Sequence, residues 1–215
     1  MGKFRLLSEK DAKMVIERLE NKYKDSHYYL NFSTPVELLV AAILSAQTRD
    51  VVVNSLTPKL FSKYKSCKDF ADADEKELLN YINSVTFAEN KAKNIIKACK
   101  IIEEKYGGKV PNRMEDLLSL PGVGRKTANT ILINAFNIVE GIPVDTWVIK
   151  LSYRIGLSDK KKQDDIEKDL MRLVDKKYWS NIAYVLKNHG HTVCHSTRPL
   201  CEECLIKDVC PKNGV

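Results

Sequence analysis

The chain has 215 residues, 44% of them hydrophobic, and a formal net charge of +7. This length and apolar content are enough to bury one large core or two small ones, which excludes a disordered tail. Residues 1–13 hold no apolar run ahead of a small-residue cleavage site, and no window is apolar for the length of a membrane span, so no membrane association is expected. The positive charge favours a polyanionic partner, although lysines also keep ordinary surfaces soluble.

Nearly every segment with a clear hydrophobic period predicts a helix, and alternating strand patterns are absent, so the predicted fold class is all-α. Thr34, Pro35 and Glu37 predict a helix start, because threonine can cap, proline suits the first helical position and glutamate completes a capping box. The apolar run Leu38–Leu44 follows, and we expect it to be buried. Other helices are expected from Ser8 toward Tyr23 and at Asp50–Tyr64, Lys76–Asn83, Ala88–Tyr106, Arg113–Leu118, Arg125–Phe136, Thr146–Ile155, Gln163–Val174 and Ser180–Asn188. The Ala88–Tyr106 helix carries on its face Lys91, Lys93, Lys97 and Lys100.

A glycine-containing hairpin, Leu120-Pro121-Gly122-Val123-Gly124, joins two of these predicted helices. Glycines at alternate positions permit a tight turn, and the amides of Gly122 and Gly124 can approach a phosphate oxygen. The N-terminus of the following helix adds a favourable dipole. The pattern is typical of a helix-hairpin-helix that holds a nucleic-acid backbone without reading bases, although such turns also join helices for structural reasons alone.

Four cysteines near the end of the chain, in the pattern C-x6-C-x2-C-x5-C, predict a metal centre: Cys194, Cys201, Cys204 and Cys210. A zinc site built from two knuckles would show two C-x-x-C pairs, whereas a [4Fe-4S] cluster accepts one such pair with longer outer spacings. A zinc knuckle and two disulfides stay open as alternatives. Cys67 and Cys99, far apart in sequence and without nearby cysteine partners, are expected to be packing residues without a function.

Two further residues complete a family pattern: Lys126, just after the hairpin, and Asp145, after the Gly/Pro-containing loop 141–144. With the hairpin and the cysteine spacing, the chain resembles the endonuclease III family of base-excision DNA glycosylases, from Ser45 through Cys210. The resemblance implies two helical domains with a cleft between them. One would span 27–138 and carry the helix-hairpin-helix; the other would combine 1–26 with 139–215 and hold the iron–sulfur loop.

The resemblance also implies a bifunctional DNA glycosylase and AP lyase that excises oxidised or otherwise damaged pyrimidines. Lys126 would be the nucleophile, forming a Schiff base that permits β-elimination, with Asp145 as its carboxylate partner. A lysine amine is protonated at neutral pH, so desolvation by bound DNA and the nearby Arg125 must lower its pKa. Asp145 could accept a proton and stabilise positive charge on the sugar, and it also suits a helix N-cap.

The target base must leave the duplex, and side chains must fill the gap it leaves. By resemblance, Gln47 inserts on one side and Phe87 takes the place of a second wedge. A solvent-facing helix end for Gln47 and a core position for Phe87 stay open. Arg198, in the loop between the first two cluster cysteines, would contact DNA phosphate. The implied partner is double-stranded DNA with a damaged base or an abasic site, bound by a monomer located inside the cell, in the cytoplasm or nucleoid.

One position departs from the family pattern, which commonly reads V-D-T-H where this chain has Val144-Asp145-Thr146-Trp147. Trp147 could alter the substrate pocket or could be a packing residue. An altered pocket would favour the nearest alternative function, a thymine/uracil mismatch DNA glycosylase. A non-catalytic DNA-damage-binding module is the alternative from another class, although the retained Lys126 and Asp145 speak against it.

Overall fold

The structure is a computed structural model that describes residues 4–215, and within that range every regular element is helical. The predicted all-α class is therefore confirmed. The α-helices are α1 (Glu9–Lys22), α2 (Pro35–Ser45), α3 (Asp50–Lys63), α4 (Cys67–Ala71), α5 (Glu75–Ile82), α6 (Ala88–Tyr106), α7 (Met114–Leu118), α8 (Arg125–Phe136), α9 (Thr146–Ile155), α10 (Gln163–Leu173) and α11 (Ile182–Thr192). Short 3-10 turns lie at Lys176–Tyr178 and Cys201–Glu203. None of the described helices is long and apolar enough to cross a lipid bilayer.

The chain separates into two compact units. Tyr29–Ile138 contains α2 to α8, and the second unit combines the segment up to Tyr28 with Val139–Val215. Residues 1–3 of the predicted discontinuous domain lie outside the described residues. In the continuous unit α2 is central, because it packs against α3, α6 and α8, and every residue from Leu38 to Leu44 is buried as predicted.

The start of α2 follows the predicted signal except for its capping box. The Thr34 side chain accepts a hydrogen bond from the Glu37 N–H, and Pro35 occupies the first turn. The Glu37 carboxylate, however, accepts from the Ser33 N–H, so the predicted reciprocal bond to the cap residue was wrong. A complete capping box forms instead at α4, a helix that the sequence analysis missed, and its two members are Ser66 and Asp69.

The two cysteines outside the C-terminal group are buried, as expected, but they are not separate. Cys67 lies on α4 and Cys99 on α6, and these two helices pack against each other. A hydrogen bond with Cys67, together with burial, raises the pKa of the Cys99 thiol. The expected packing positions are therefore confirmed, and the contact between the two helices was not predicted because the sequence analysis missed α4.

The predicted basic face of α6 contains one residue that does not belong to it. Three of its four lysines are exposed, whereas Lys91 is 5% exposed. Its position repeats at helical spacing with Ile95, Ala98 and Ile102, all buried, so Lys91 lies on the apolar stripe of the helix. A lysine on such a stripe needs polar partners, and those partners are described below.

Candidate active site

The hairpin between α7 and α8 uses its two glycines for different reasons. Gly122 has φ +82°, and a Cβ there would lie 3.2 Å from the Asn94 side chain, so both backbone conformation and packing require glycine. Gly124 is the N-cap of α8 and has ordinary extended geometry, and an added Cβ would meet nothing within 4 Å. Gly124 has no side chain, so the cap residue of α8 gives the helix no side-chain hydrogen bond. An external anion can take that place.

Lys126 is the second residue of α8, one position after Arg125, and both side chains are half-buried. The Lys126 carbonyl accepts a hydrogen bond of 2.9 Å from the Thr130 hydroxyl, inside the helix. The lysine is therefore anchored in the same first turn whose amides face the hairpin. An anion bound to those amides would lie within one helical turn of the Lys126 backbone.

Asp145 is the N-cap of α9, so the predicted cap is confirmed. Its Oδ1 accepts hydrogen bonds of 2.9 Å from the N–H groups of both Trp147 and Val148. The cap thus uses one carboxylate oxygen for both bonds, which orients the half-buried carboxyl group and leaves Oδ2 outside the cap. A carboxylate held in this way is suited to a fixed catalytic position as well as to capping.

Gln47 occupies a turn position that normally belongs to glycine. Ala46 has φ −57° and ψ 114°, Gln47 has φ 55°, and the Thr48 N–H donates to the Ser45 carbonyl over 3.0 Å. These are the features of a type II turn, whose third residue requires a positive φ. A non-glycine residue there costs on the order of 1–3 kcal/mol, and such strain is concentrated at functional positions.

Phe87 shows the same strain at the start of α6. It is the N-cap, with φ 56° and ψ 40°, and its side chain is 59% exposed. The alternative that Phe87 is a core residue is therefore wrong. The ring lies at one wall of a shallow surface pocket that Leu79, Val85 and Asn90 also line. An exposed aromatic ring on a strained backbone is arranged for contact with something outside the chain.

The four C-terminal cysteines line one pocket of about 370 Å³, part of it open to solvent. Burial raises the pKa of the Cys204 and Cys210 thiols. Among residues 4–215, no three His, Cys, Asp or Glu side chains converge closely enough to hold a single metal ion.

Arg154 holds the loop between the first two of these cysteines. Its guanidinium is buried and donates to the carbonyls of Cys194, His195 and Ser196, at distances from 2.6 to 3.3 Å. Further along the same loop, Arg198 is exposed and has a positive φ of 55°. The loop is therefore fixed at its base and carries the exposed Arg198 further along. Sequence reasoning missed Arg154, because it is 40 residues away from Cys194.

His189 connects this pocket to a tyrosine. Its Nε2 lies 3.6 Å from Cys204 Sγ, and its Nδ1 lies 3.1 Å from the Tyr23 hydroxyl. Burial lowers the pKa of His189 to about 4, so the imidazole is neutral at pH 7 and carries one N–H. The proton on one ring nitrogen therefore decides whether His189 donates to Cys204 through Nε2 or to Tyr23 through Nδ1.

Comparison with known proteins identifies the family. The model of the HhH-GPD superfamily of base excision DNA repair proteins matches residues 40–176. Endonuclease III of Synechocystis sp. is 45% identical over 200 residues, 93% of this chain and 91% of that protein. Endonuclease III of Bacillus subtilis is 40% identical over 206 residues, 95% of this chain and 94% of that protein. The chain belongs to the endonuclease III family.

The fold agrees with this assignment. The solved structure of a trapped endonuclease III–DNA covalent intermediate superposes with a TM-score of 0.92 at 35% identity, over 96% of this chain and 97% of that chain. The protein is thus a base-excision-repair DNA glycosylase with AP lyase activity, as the resemblance implied.

Trp147, where endonuclease III relatives commonly have histidine, packs on α11 within its own unit. Its ring makes an edge contact with His191 at 4.8 Å between centroids, and the Lys150 ammonium lies 5.4 Å above it. A Cβ built on Gly190 would overlap the indole. This explains why position 190 holds a glycine, although α11 continues to Thr192, beyond the predicted end at Asn188.

We therefore predict that Gly190→Ala destabilises the protein by about 1–3 kcal/mol, because the added methyl group overpacks against Trp147. In a Trp147→Ala background the same change should stabilise by up to about 1 kcal/mol, since alanine is the better helix former and the clash is gone. Urea unfolding of the four proteins of this cycle measures both values. An equal effect of Gly190→Ala in both backgrounds would contradict the packing described here.

Proposed function

We propose that Lys126 and Asp145 are the catalytic residues of this glycosylase and lyase. The observation that carries the proposal is the place of Lys126 in the first turn of α8, just after the Gly124 cap, at a helix N-terminus whose dipole favours an anion. A DNA phosphate held there by the Gly122 and Gly124 hairpin, with Arg125 beside it, brings an adjacent sugar toward the lysine amine. The trapped covalent intermediate of the related endonuclease III with DNA supports a nucleophile in this fold.

The chemistry proceeds in two stages on one sugar. The neutral Lys126 amine attacks C1′, and the bond from C1′ to the base breaks with its electron pair leaving on the base. Loss of the amine proton and opening of the sugar ring yield a C1′=N Schiff base. Removal of a C2′ proton, made acidic by the imine, leaves the C2′–H electron pair to form a C2′=C3′ double bond conjugated with C1′=N. The C3′–O bond breaks at the same time with its electron pair leaving on the 3′ phosphate, which cuts the strand. Water finally hydrolyses the imine and returns the lysine.

Asp145 acts on the protons and charge of these steps. Its Oδ1 is committed to the α9 cap, so Oδ2 is the oxygen that accepts a proton as the amine attacks. The same carboxylate stabilises the positive charge that develops on the sugar while the base departs. The cap therefore serves catalysis by preventing the carboxyl group from rotating.

The proposed substrate is double-stranded DNA that holds a damaged pyrimidine or an abasic site, bound by one copy of the chain. Gln47 and Phe87 fill the space left by the extruded nucleotide, a role that their exposure and strained backbone support. Arg198, presented by a loop anchored on Arg154, contacts phosphate. The second candidate function is a thymine/uracil mismatch glycosylase. It is favoured by Trp147, which stands where the family pattern commonly has histidine.

We further propose that the four C-terminal cysteines hold a [4Fe-4S] cluster. The donor set fits: four sulfurs line one pocket, and His189 Nε2 lies 3.6 Å from Cys204 Sγ. When bound, the cluster supplies cross-linking of residues 194–210 rather than reaction chemistry. The chain's own contribution is to hold the loop base through Arg154, which keeps Arg198 in place.

Borohydride is expected to trap a covalent adduct between this protein and duplex DNA with an abasic site, because it reduces the Schiff base on Lys126. Lys126→Ala should abolish trapping, whereas Lys168→Ala, a change of an exposed lysine on α10, should leave it intact. Gel electrophoresis of labelled DNA measures the adduct. Undiminished trapping by Lys126→Ala, or none by the native protein, would overturn the assignment of the nucleophile.

A panel of duplexes with single lesions tests the substrate. Oxidised pyrimidines such as thymine glycol should be excised faster than thymine or uracil in mismatches with guanine, by at least about tenfold, the scale of a modest change in pocket contacts. Single-turnover excision rates provide the ranking. The reverse order in the native protein, restored to the expected order by Trp147→His, would instead establish the mismatch glycosylase.

Purified protein should contain about four irons per chain and a broad visible absorption, since each cysteine binds one iron of the cluster. Cys201→Ser should lower the iron content, whereas Cys67→Ala, a change in the buried pair on α4 and α6, should not. Metal analysis and absorption spectroscopy read out both variants. One zinc per chain without visible colour would show that the zinc alternative is correct.

A further inference from the structure

A buried lysine joins the two strained segments that carry Gln47 and Phe87. Lys91 is 5% exposed, and its ammonium donates to the Leu44 carbonyl at 2.7 Å, the Ala46 carbonyl at 2.6 Å and the Thr48 hydroxyl at 3.0 Å. An ammonium has three N–H donors, so this set of oxygens saturates it.

The partners of Lys91 surround Gln47 on both sides. Leu44 lies at the end of α2 and Ala46 is its C-cap, where carbonyls lack a partner within the helix. Thr48 follows Gln47 directly. The ammonium thereby takes the part of a C-terminal cap, supplied by another helix, and it holds the turn that gives Gln47 its positive φ.

The same lysine is tied to the second segment through its own backbone and through Thr48. The Lys91 N–H donates to the Phe87 carbonyl over 3.1 Å, as the first intrahelical bond of α6. The Thr48 hydroxyl also accepts from the Thr86 N–H over 3.1 Å. Thr48 and Thr86 are 38 residues apart in sequence, and this hydrogen bond joins their two loops directly. Lys91 joins the same loops a second time, through its ammonium to Thr48 and through its backbone N–H to Phe87.

Burial lowers the pKa of Lys91 to about 8, while its three oxygen partners favour the ammonium. The side chain therefore remains mostly protonated at pH 7 and keeps all three donors. An apolar residue at this position of the stripe would pack without the free-energy cost of burying a charge. It would, however, leave the carbonyls at the end of α2 without a donor.

We propose that Lys91 is a positioning residue that fixes Gln47 and Phe87 relative to each other, so that the two side chains enter DNA as one preformed wedge. This inference rests on the proposed role of those two residues in filling the gap. Lys91 does not touch the DNA. It acts by holding two strained turns in an arrangement in which both side chains are exposed, which avoids ordering them during insertion.

The first test compares a substrate that needs base extrusion with one that has no base to extrude. In Lys91→Met, which keeps the stem but removes the donors, single-turnover excision of thymine glycol paired with adenine should fall about 30-fold, as expected for a misplaced positioning element. Strand cleavage at a preformed abasic site in the same duplex should fall less than about fivefold, since little unstacking is required.

A second readout does not depend on excision. A 2-aminopurine opposite a tetrahydrofuran abasic analogue should brighten when native protein inserts its side chains and unstacks that base. Lys91→Met should still bind this duplex but lose most of the fluorescence rise. If native protein binds and brightens the probe yet excises no lesion, the proposed activity fails while the wedge geometry stands.

Thr48→Val provides a milder variant should Lys91→Met not fold. It is nearly isosteric and removes only the hydroxyl that joins Lys91 to Thr86, so it should show the same selective losses, smaller in size. Thr57→Val, at a buried threonine in α3, is the matched control and should change neither the rate ratio nor the fluorescence. Leu60→Ala, a buried change in the same helix, shows what loss of stability alone does to both readouts.

Equal loss on both substrates in Lys91→Met, in proportion to the loss seen for Leu60→Ala, would overturn the proposal and make Lys91 a stability residue only. A full fluorescence rise in Thr48→Val together with an unchanged rate ratio would also overturn it. Selective loss in the Lys91 and Thr48 variants, absent from both controls, is the supporting result.

Discussion

An α-helix leaves about four N–H groups at its start and four carbonyls at its end without a partner inside the helix. In the described part of this protein three helix ends treat those groups differently, and each lies beside a residue proposed to act on DNA. The start of α9 is closed by the Asp145 carboxylate, which is thereby oriented. The end of α2 is closed by Lys91, and the start of α8 has a glycine cap that contributes no side chain. The hydrogen bonds at the start of α9 and at the end of α2 hold particular side chains in place, whereas the start of α8, without a side-chain cap, suits a phosphate.

Backbone strain is found at several residues that are proposed to contact DNA. Among the described non-glycine residues with positive φ are Gln47, Phe87 and Arg198, all three of them exposed and all three proposed to contact DNA. Each such residue costs free energy that a simple turn with glycine would avoid. The surrounding contacts are what maintain these conformations, as Lys91 does for the turn at Gln47. Strain of this kind prepares a binding surface before the partner arrives.

The departure at Trp147 has a local structural explanation. A large ring at this position needs a helix surface without a side chain, and Gly190 provides it. The pair is therefore a packing unit, and any effect on substrate choice comes through the residues beside it, such as His191 and Lys150. Replacement of Trp147 alone consequently changes both the packing of α11 and the surroundings of the Asp145 cap.

Local sequence patterns predict much of this structure. Helix periodicity, the Thr34 and Asp145 caps, the glycine hairpin and the cysteine spacing all act within a few residues, so they were sufficient for the all-α class, most helix bounds and the family. The failures concern partners distant in the chain. The Cys67–Cys99 contact needed the packing of α4 on α6, and the exposure of Phe87 depended on the path of the chain into α6.

Lys91 shows most clearly what the sequence determines and what only the tertiary structure decides. The sequence analysis grouped it with the three exposed lysines of α6, whereas its partners lie 43 to 47 residues earlier in the chain. Sequence alone determined which chemistry the protein carries, because residue type and near spacing define a nucleophile, a cap or a metal ligand. Tertiary structure decided which side chains are presented and which are held, because burial and hydrogen-bond saturation depend on elements that meet only when the chain has folded.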